Sequence, residues 1–206
     1  MPCTSEELRG LYAQTAPGYD WKLSILETIL GIGKLRQRFL AQANGDVLDV
    51  GTGTGRNFPF YSPECHVTGI DLSPEMLSIA SKRADSLGMR VELLEMDAEH
   101  MTFHSHSFDT VVSSLAVCTF PHPVDALREM ARVCKPDGRI LLLEHGRSDR
   151  RWFGNLQDRF AERFARQSGC HWNREPLELV RVAGLRTRMA KRSRLGIIHT
   201  IEASAS

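Results

Sequence analysis

Residues 46–57, DVLDVGTGTGRN, leave this chain few folds to choose from. A short apolar run stops abruptly at three glycines spaced two apart, Gly51, Gly53 and Gly55. Such a run reads as a strand buried on both faces, the situation of a parallel sheet covered by helices. Glycines at alternate positions turn the chain tightly and let its backbone come close to a neighbour or a ligand. The rest of the chain continues the theme. HVTGI (66–70), VELLEM (91–96), FDTVVSSL (108–115) and RILLLEH (139–145) read as further strands. A helical pattern over 73–88 has Ser73 as N-cap, Pro74 at its first position and Gly88 as its stop. Another begins at PVDALREMARV and ends at the turn Pro136-Asp137-Gly138.

After Gly184, LRTRMAKRSR and LGIIHTIEA read as two closing strands about Leu195-Gly196, an antiparallel edge pair. Before Asp46 the pattern predicts helices over 5–16 and about 21–42. The expected architecture is α/β: a doubly wound, mostly parallel seven-stranded sheet with an antiparallel C-terminal edge pair and an N-terminal helical cover. The 206 residues make about one domain, with 1–44 as a helical lid belonging to the same unit as 45–206.

Composition narrows the class. A hydrophobic share of 42% and a charged share of 25% fit a globular domain and exclude collagen-like and disordered readings. The net charge of +1 hides an asymmetry: residues 1–100 hold 9 basic against 14 acidic side chains, residues 101–206 hold 17 against 11. Cys3, Cys65, Cys118, Cys134 and Cys170 are odd in number and form no C-x-x-C pair; with no basic-then-apolar leader, a reduced, cytoplasmic protein is expected. The longest apolar stretch, 25–35, is broken by Glu27, Thr28, Gly31, Gly33 and Lys34, so no membrane span is expected.

The glycine loop is not a dinucleotide fingerprint. Arg56 stands where the third glycine of G-x-G-x-x-G belongs, and no G-K-[ST] follows for a phosphate loop. Asp49, at the end of the first strand, repels a pyrophosphate and favours a ligand bearing an ammonium or sulfonium. S-adenosylmethionine carries both. Asp71 ends the second strand, where a carboxylate can accept hydrogen bonds from a ribose diol, and Asp97 ends the third, where an adenine would lie. Three acids at successive strand ends fit the rule that open parallel sheets bind ligands beyond their carboxyl edge.

VLDVGTGTGRN, VTGIDLSPEML, MDAEHMTFHSHSFDTVVSS and LREMARVCKPDGRILLLEH together resemble the class I S-adenosylmethionine-dependent methyltransferases, with a type 11 methyltransferase domain, over about residues 45–145. The resemblance implies S-adenosyl-L-methionine as cofactor. It places Asp49, Gly51, Gly53 and Gly55 at the methionine moiety, with Thr52 also binding the cofactor, Asp71 at the ribose, Leu72 or Met76 beside the adenine, Asp97 and Ala98 at its edge, and Ser113 and Ser114 along the cavity. YAQTAPGYD (12–20) is similar to the N-terminal segment of quinone and phospholipid methyltransferases, but SLAVCTFPHP replaces the G-x-R-N element usual in the quinone enzymes. GRNFPFYSPECHVTGID, LAVCTF, EHGRS and GCHWNRE look closer to thiol methyltransferases. The first expectation is therefore S-methylation of a small or lipid-derived thiol. A phosphatidylethanolamine-type amine, a quinone-precursor carbon and a non-catalytic cofactor-binding role are the alternatives.

Methyl transfer from a sulfonium needs alignment and exclusion of water; a base matters only when the acceptor arrives protonated. His145, at the end of the fifth strand, is the candidate base, with a hydrogen-bonded strand terminus as its structural alternative. Tyr19, and with it Tyr12, is a candidate lid residue whose phenol would contact the sulfonium. His122 reads as loop and Cys118 as a small buried hydrophobe; His171, Trp172 and Arg174, in a turn before the last helix, read as capping the helix–strand connection, with lining of the acceptor pocket as the alternative. His100, His104 and His106 lack a completing ligand, so no metal is expected. Between Arg151 and Ser168 a helix aligns Trp152, Phe153, Leu156, Phe160 and Phe164 amid Arg150, Arg151, Arg159, Arg163 and Arg166. Its aromatic face is expected to cover the sheet, with peripheral membrane contact as the second reading. The basic run from Arg186 to Arg194 has no aromatic platform, so no nucleic-acid partner is expected.

Overall fold

The computed structural model describes residues 4–205, with the side chains of Lys22 and Leu26 excepted; Cys3 lies outside the described residues. Seven strands form one sheet: β1 (Asp46–Val50), β2 (His66–Asp71), β3 (Val91–Glu95), β4 (Phe108–Ser114), β5 (Cys134–His145), β6 (Arg186–Ser193) and β7 (Ile198–Ser204). Their order is β3-β2-β1-β4-β5-β7-β6. β1 to β5 pair in parallel, and β7 runs antiparallel to both β5 and β6. The centre carries the continuous apolar runs: Val47, Leu48 and Val50 of β1 and Leu141 and Leu143 of β5 are fully buried. β6, at the edge, is exposed along nearly its whole length.

The helices are α1 (Ser5–Leu30), α2 (Ile32–Leu40), α3 (Pro74–Ser86), α4 (Pro123–Val133), α5 (Arg151–Ser168) and α6 (Pro176–Val182). α3 starts as its sequence dictates, with the Ser73 hydroxyl accepting from the Met76 N–H at 3.3 Å. β5 begins earlier than expected, at Cys134: the Lys135-Pro136-Asp137-Gly138 segment enters the strand through an irregularity in its pairing with β4.

The N-terminal helices differ most from the sequence pattern. α1 does not stop before Pro17 but runs to Gly31, whose left-handed φ of 63° then breaks the helix. A helix-interior proline forfeits one backbone hydrogen bond, and tertiary anchors past it hold the helix together. Asp20 accepts from the Thr54 hydroxyl at 2.7 Å and also pairs with Arg56 and Arg83. At its start Arg9 pairs with Glu95 at 2.7 Å, and at its end the Leu30 carbonyl accepts from Arg194 Nε at 2.6 Å. α1 thus crosses the carboxyl edge of the sheet from β3 to the β6–β7 turn. Its length suffices: 26 residues reach about 39 Å, while seven strands occupy about 29 Å.

α5 lies over the same edge in the opposite sense. The Ser148 hydroxyl before it donates to the Leu195 carbonyl at 2.5 Å, and Gly169 after it packs so closely on Leu8 that an added Cβ would stand 2.6 Å from that side chain. The expectation that its aromatic face covers the sheet is overturned. α5 buries Gly154, Gln157 and Ala165, while Trp152 (67% exposed), Leu156 and Phe160 (42%) face outward and Phe164 stacks on Trp172 with centroids 4.7 Å apart. The reason is polar: Gln157 accepts from the Ser148 N–H at 2.7 Å and donates to the Gly146 and Trp172 carbonyls, and these bonds fix the helix's rotation. Among the described residues no helix is long and apolar enough to cross a membrane.

Candidate active site

A cavity opens at the carboxyl ends of β1, β2, β3 and β4, roofed by α1. Gly51, Thr52 and Gly53 form its wall on the β1 side, Asp71, Leu72 and Met76 line it after β2, and Asp97 and Ala98 after β3. Leu115, Ala116, Thr119 and Phe120 close it after β4, and Tyr12 and Tyr19 descend from α1. The chain turns sharply here because the glycines can: Gly51, Gly53 and Gly55 have φ of 67°, 55° and 75°. A Cβ on Gly51 would meet Ala116 at 2.6 Å, whereas one on Gly53 would point into open space. Leu115, a non-glycine with φ of 59°, carries backbone strain into the facing loop.

Asp71 is fixed for recognition. Its Oδ2 accepts from the Gly53 N–H at 2.8 Å and its Oδ1 from the Ser73 N–H at 3.0 Å. Burial raises its pKa above the ordinary carboxylate value, and those N–H groups pull it back. Asp97 accepts from the Glu99 N–H at 2.9 Å and from the Ser5 hydroxyl of α1 at 3.2 Å.

Several residues singled out from sequence stand elsewhere. Asp49 does not line the cavity: it is wholly buried beneath the loop, both of its oxygens accepting from Asn57 Nδ2 at 3.0 and 3.1 Å. Burial lifts its pKa to about 6 against the lowering pull of Asn57, Tyr61 and Thr52. Gly55 packs on Phe58 behind the loop. Ser113 turns away and donates to Glu144 Oε1 at 2.9 Å, leaving Ser114 on the cavity side. His145 is off the cavity too, its Nε2 3.1 Å from Cys170 Sγ. His122 pairs with Glu99 at 2.9 Å. Arg174 Nη1 donates to the Val117 and Phe120 carbonyls, both at 2.8 Å, and so braces the loop after β4. Tyr12 and Tyr19 do meet, edge to face with centroids 6.2 Å apart, and burial raises both phenol pKa values, so both remain protonated at neutral pH.

Sequence reasoning missed a charged cluster lining the cavity. Arg36 of α2, 4% exposed, donates to Glu27 of α1 at 2.7 Å, to Asn57 at 2.9 Å and to Ser114 at 3.3 Å. Arg56 pairs with the same Glu27 oxygen at 2.6 Å. Buried ion pairs gain little net stability, because desolvation offsets their attraction. Here Glu27 Oε1 and Arg56 Nε remain buried with no partner, and both residues line the cavity. The Arg-Asn pair after the third glycine was the sequence signal: Asn57 links Asp49 to Arg36, so Asp49 acts on the cavity at one remove.

These residues fit S-adenosylmethionine. A glycine wall open at Gly53 admits a close-packed ligand, the half-buried Asp71 offers acceptors to a diol, and the unpartnered Glu27 and Arg56 atoms complement an ammonium and a carboxylate.

Comparison with known proteins agrees. A family model described as a methyltransferase domain matches residues 48–142. The mitochondrial methyltransferase OMS1 of Saccharomyces cerevisiae is 30% identical over 93% of this chain, which spans 45% of that protein. A phosphatidylethanolamine N-methyltransferase of Cereibacter sphaeroides is 38% identical over 66% of this chain and 69% of its own length. The ubiquinone/menaquinone C-methyltransferase UbiE of Bdellovibrio bacteriovorus is 32% identical over 76% of this chain and 69% of its own length. A SAM-dependent methyltransferase from Thermotoga maritima shares the fold with a TM-score of 0.72, at 20% identity over 97% of this chain and 100% of its own. With the glycine wall, the strand-end acids and these relatives in agreement, the chain belongs to the class I S-adenosylmethionine-dependent methyltransferases and takes S-adenosylmethionine as its methyl donor.

Proposed function

We propose that this methyltransferase acts at an anionic membrane surface on a lipid-borne acceptor, an amine of the phosphatidylethanolamine class. The observation that carries this reading is the outward stripe of α5. Trp152, Leu156 and Phe160 recur every four residues, Phe164 continues the row where it stacks on Trp172, and Arg159, Arg163 and Arg166 border them by helical spacing. An apolar face flanked by arginines suits the boundary between lipid headgroups and acyl chains. α1 adds Trp21 (73% exposed), Ile25 and Ile29 (75%) at the same spacing over the same edge of the sheet. The named relatives support an amine or a quinone precursor; a thiol acceptor finds no support among them.

S-adenosylmethionine, when bound, supplies a methyl group already activated by its sulfonium. The chain's own residues then have three tasks. Asp71 and the Gly51–Gly53 wall fix the donor end, Glu27 with Arg56 holds its charged terminus, and Tyr12 and Tyr19 roof the space where acceptor and donor meet. Roofing matters because displacement at carbon needs alignment and a dry site more than a strong base. A phosphatidylethanolamine-type ammonium has no lone pair, so it gives one proton to solvent before its nitrogen can take the methyl; the phenols stay neutral, and their oxygens can accept from the N–H groups that remain.

The test is release of S-adenosylhomocysteine from the purified chain offered, separately, vesicles containing phosphatidylethanolamine and an anionic lipid, small alkyl and aryl thiols, and a demethylquinone analogue. Turnover on the amine lipid alone supports the proposal. Turnover confined to thiols or to the quinone analogue replaces it, and silence on all three with donor binding intact returns the non-catalytic reading.

A further inference from the structure

Three soft ligand atoms that the donor site does not use meet behind the cavity. Cys118 follows β4, His145 ends β5 and Cys170 follows α5, so three separate parts of the fold deliver them to one place. Cys170 Sγ lies 3.1 Å from His145 Nε2, and all three ligand atoms fall within 4.8 Å of one another. Cys118 is buried and the other two are half-buried.

The backbone holding them is tied down on every side. The His171 N–H donates to the Cys118 carbonyl at 2.9 Å, joining the loop after β4 to the loop after α5. Arg174 grips the carbonyls of Val117 and Phe120 on either side of Cys118. Glu144 Oε1 accepts from the N–H groups of Ala116 and Val117, both at 3.3 Å. Ligands carried on a braced frame need little ordering when a cation arrives, and such supporting bonds are what tune real metal sites.

We propose that Cys118, His145 and Cys170 form a binding site for one soft divalent cation of the zinc class. Two thiolates and one imidazole are the donors such a cation prefers, and a three-ligand set leaves the fourth tetrahedral position to water or an added ligand. Tetrahedral zinc with sulfur at about 2.3 Å and nitrogen at about 2.0–2.1 Å sets neighbouring ligand atoms roughly 3.6–3.8 Å apart. The present cluster reaches that spacing with shifts of about an ångström. On binding, each thiol gives its proton to solvent, both sulfurs bond the metal, and the neutral imidazole donates its Nε2 lone pair; no electron changes hands. The occupied site clamps the loop after β4, the end of β5 and the loop after α5 together. His100, His104 and His106 take no part: the metal-ligating group found among the described residues is the Cys-His-Cys set, which no short sequence spacing announces.

The experiment uses the full chain, reduced and stripped of metal with a chelator, and Co²⁺ alone as the probe. One equivalent should produce the intense visible bands of tetrahedral cobalt and a thiolate-to-cobalt charge-transfer band in the near ultraviolet, with Zn²⁺ displacing both. Cys118→Ser and Cys170→Ser should each remove the charge-transfer intensity in proportion to the lost sulfur. Each should also weaken binding by more than the roughly 10–100-fold that loss of a supporting outer hydrogen bond costs. Cys65→Ser and Cys134→Ser should leave the spectrum unchanged. A featureless titration of chain shown by circular dichroism to be folded overturns the proposal, as does a spectrum that survives both Cys118→Ser and Cys170→Ser.

Discussion

Helices α4 and α5 carry the same kind of amphipathic pattern and use it in opposite ways. α4 lays Ala126, Leu127, Met130 and Val133 on the sheet and turns its charges outward. α5 does the reverse: Gly154, Gln157 and Ala165 face the protein, and the aromatic stripe faces out. α4 gains its place by removing apolar surface from water. α5 gains its place through the buried amide of Gln157 and the close approach allowed at Gly154, where an added Cβ would stand 2.7 Å from Arg147. Trp152, Leu156 and Phe160, which the fold leaves uncovered, are available to a surface outside it, and that difference is the basis for the proposal that this enzyme works at a membrane.

Substitutions can break or sharpen the contrast. Leu127→Ala in α4 should cost about 2–5 kcal/mol in urea unfolding, the usual loss when a fully buried leucine leaves a cavity. In α5 the sensitive position is polar. Gln157→Leu strands the buried Ser148 N–H and Gly146 carbonyl and frees the part-buried Trp172 carbonyl, a loss of about 2–6 kcal/mol by the same measurement at about 1–3 kcal/mol for each of the two buried unpaired groups. A neutral or stabilising Gln157→Leu would mean that α5 packs through apolar contact after all. Trp152→Ser should weaken sedimentation with anionic vesicles about tenfold or more, since burying a large apolar side chain is worth about 1.5–3 kcal/mol. The same substitution should change unfolding stability by no more than about 0.5 kcal/mol, as for an ordinary surface position. A large stability loss there would show that the stripe belongs to the core.

The alternation of strands and helices was open to reading because each buried parallel strand writes a continuous apolar run and each helix marks its own ends, as Ser73 and Pro74 do for α3. The glycine wall and Asp71 were legible for the same local reason: a turn and a strand end leave their mark within a few residues. What stayed hidden depends on distant partners. Asp49 has the right position in the chain but is capped by Asn57, and only the fold shows that Arg36 and Glu27 take its place at the cavity. Pro17 announces a helix end that the anchors on Asp20 cancel. The aromatic stripe of α5 shows amphipathicity but not which side has a neighbour. Cys118, His145 and Cys170 meet only through the sheet order and the return of α5 over its edge.

The most direct test of the account compares initial rates of S-adenosylhomocysteine release by the wild-type chain and by Trp152→Ser/Phe160→Ser. Both would be offered phosphatidylethanolamine in anionic vesicles, after calorimetry has shown equal affinity for S-adenosylmethionine. The account predicts at least a tenfold lower rate for the double variant, with the deficit shrinking as the acceptor is supplied in detergent solution. Equal rates on vesicles would contradict it, because the outward stripe of α5 would then have no part in bringing acceptor to the site.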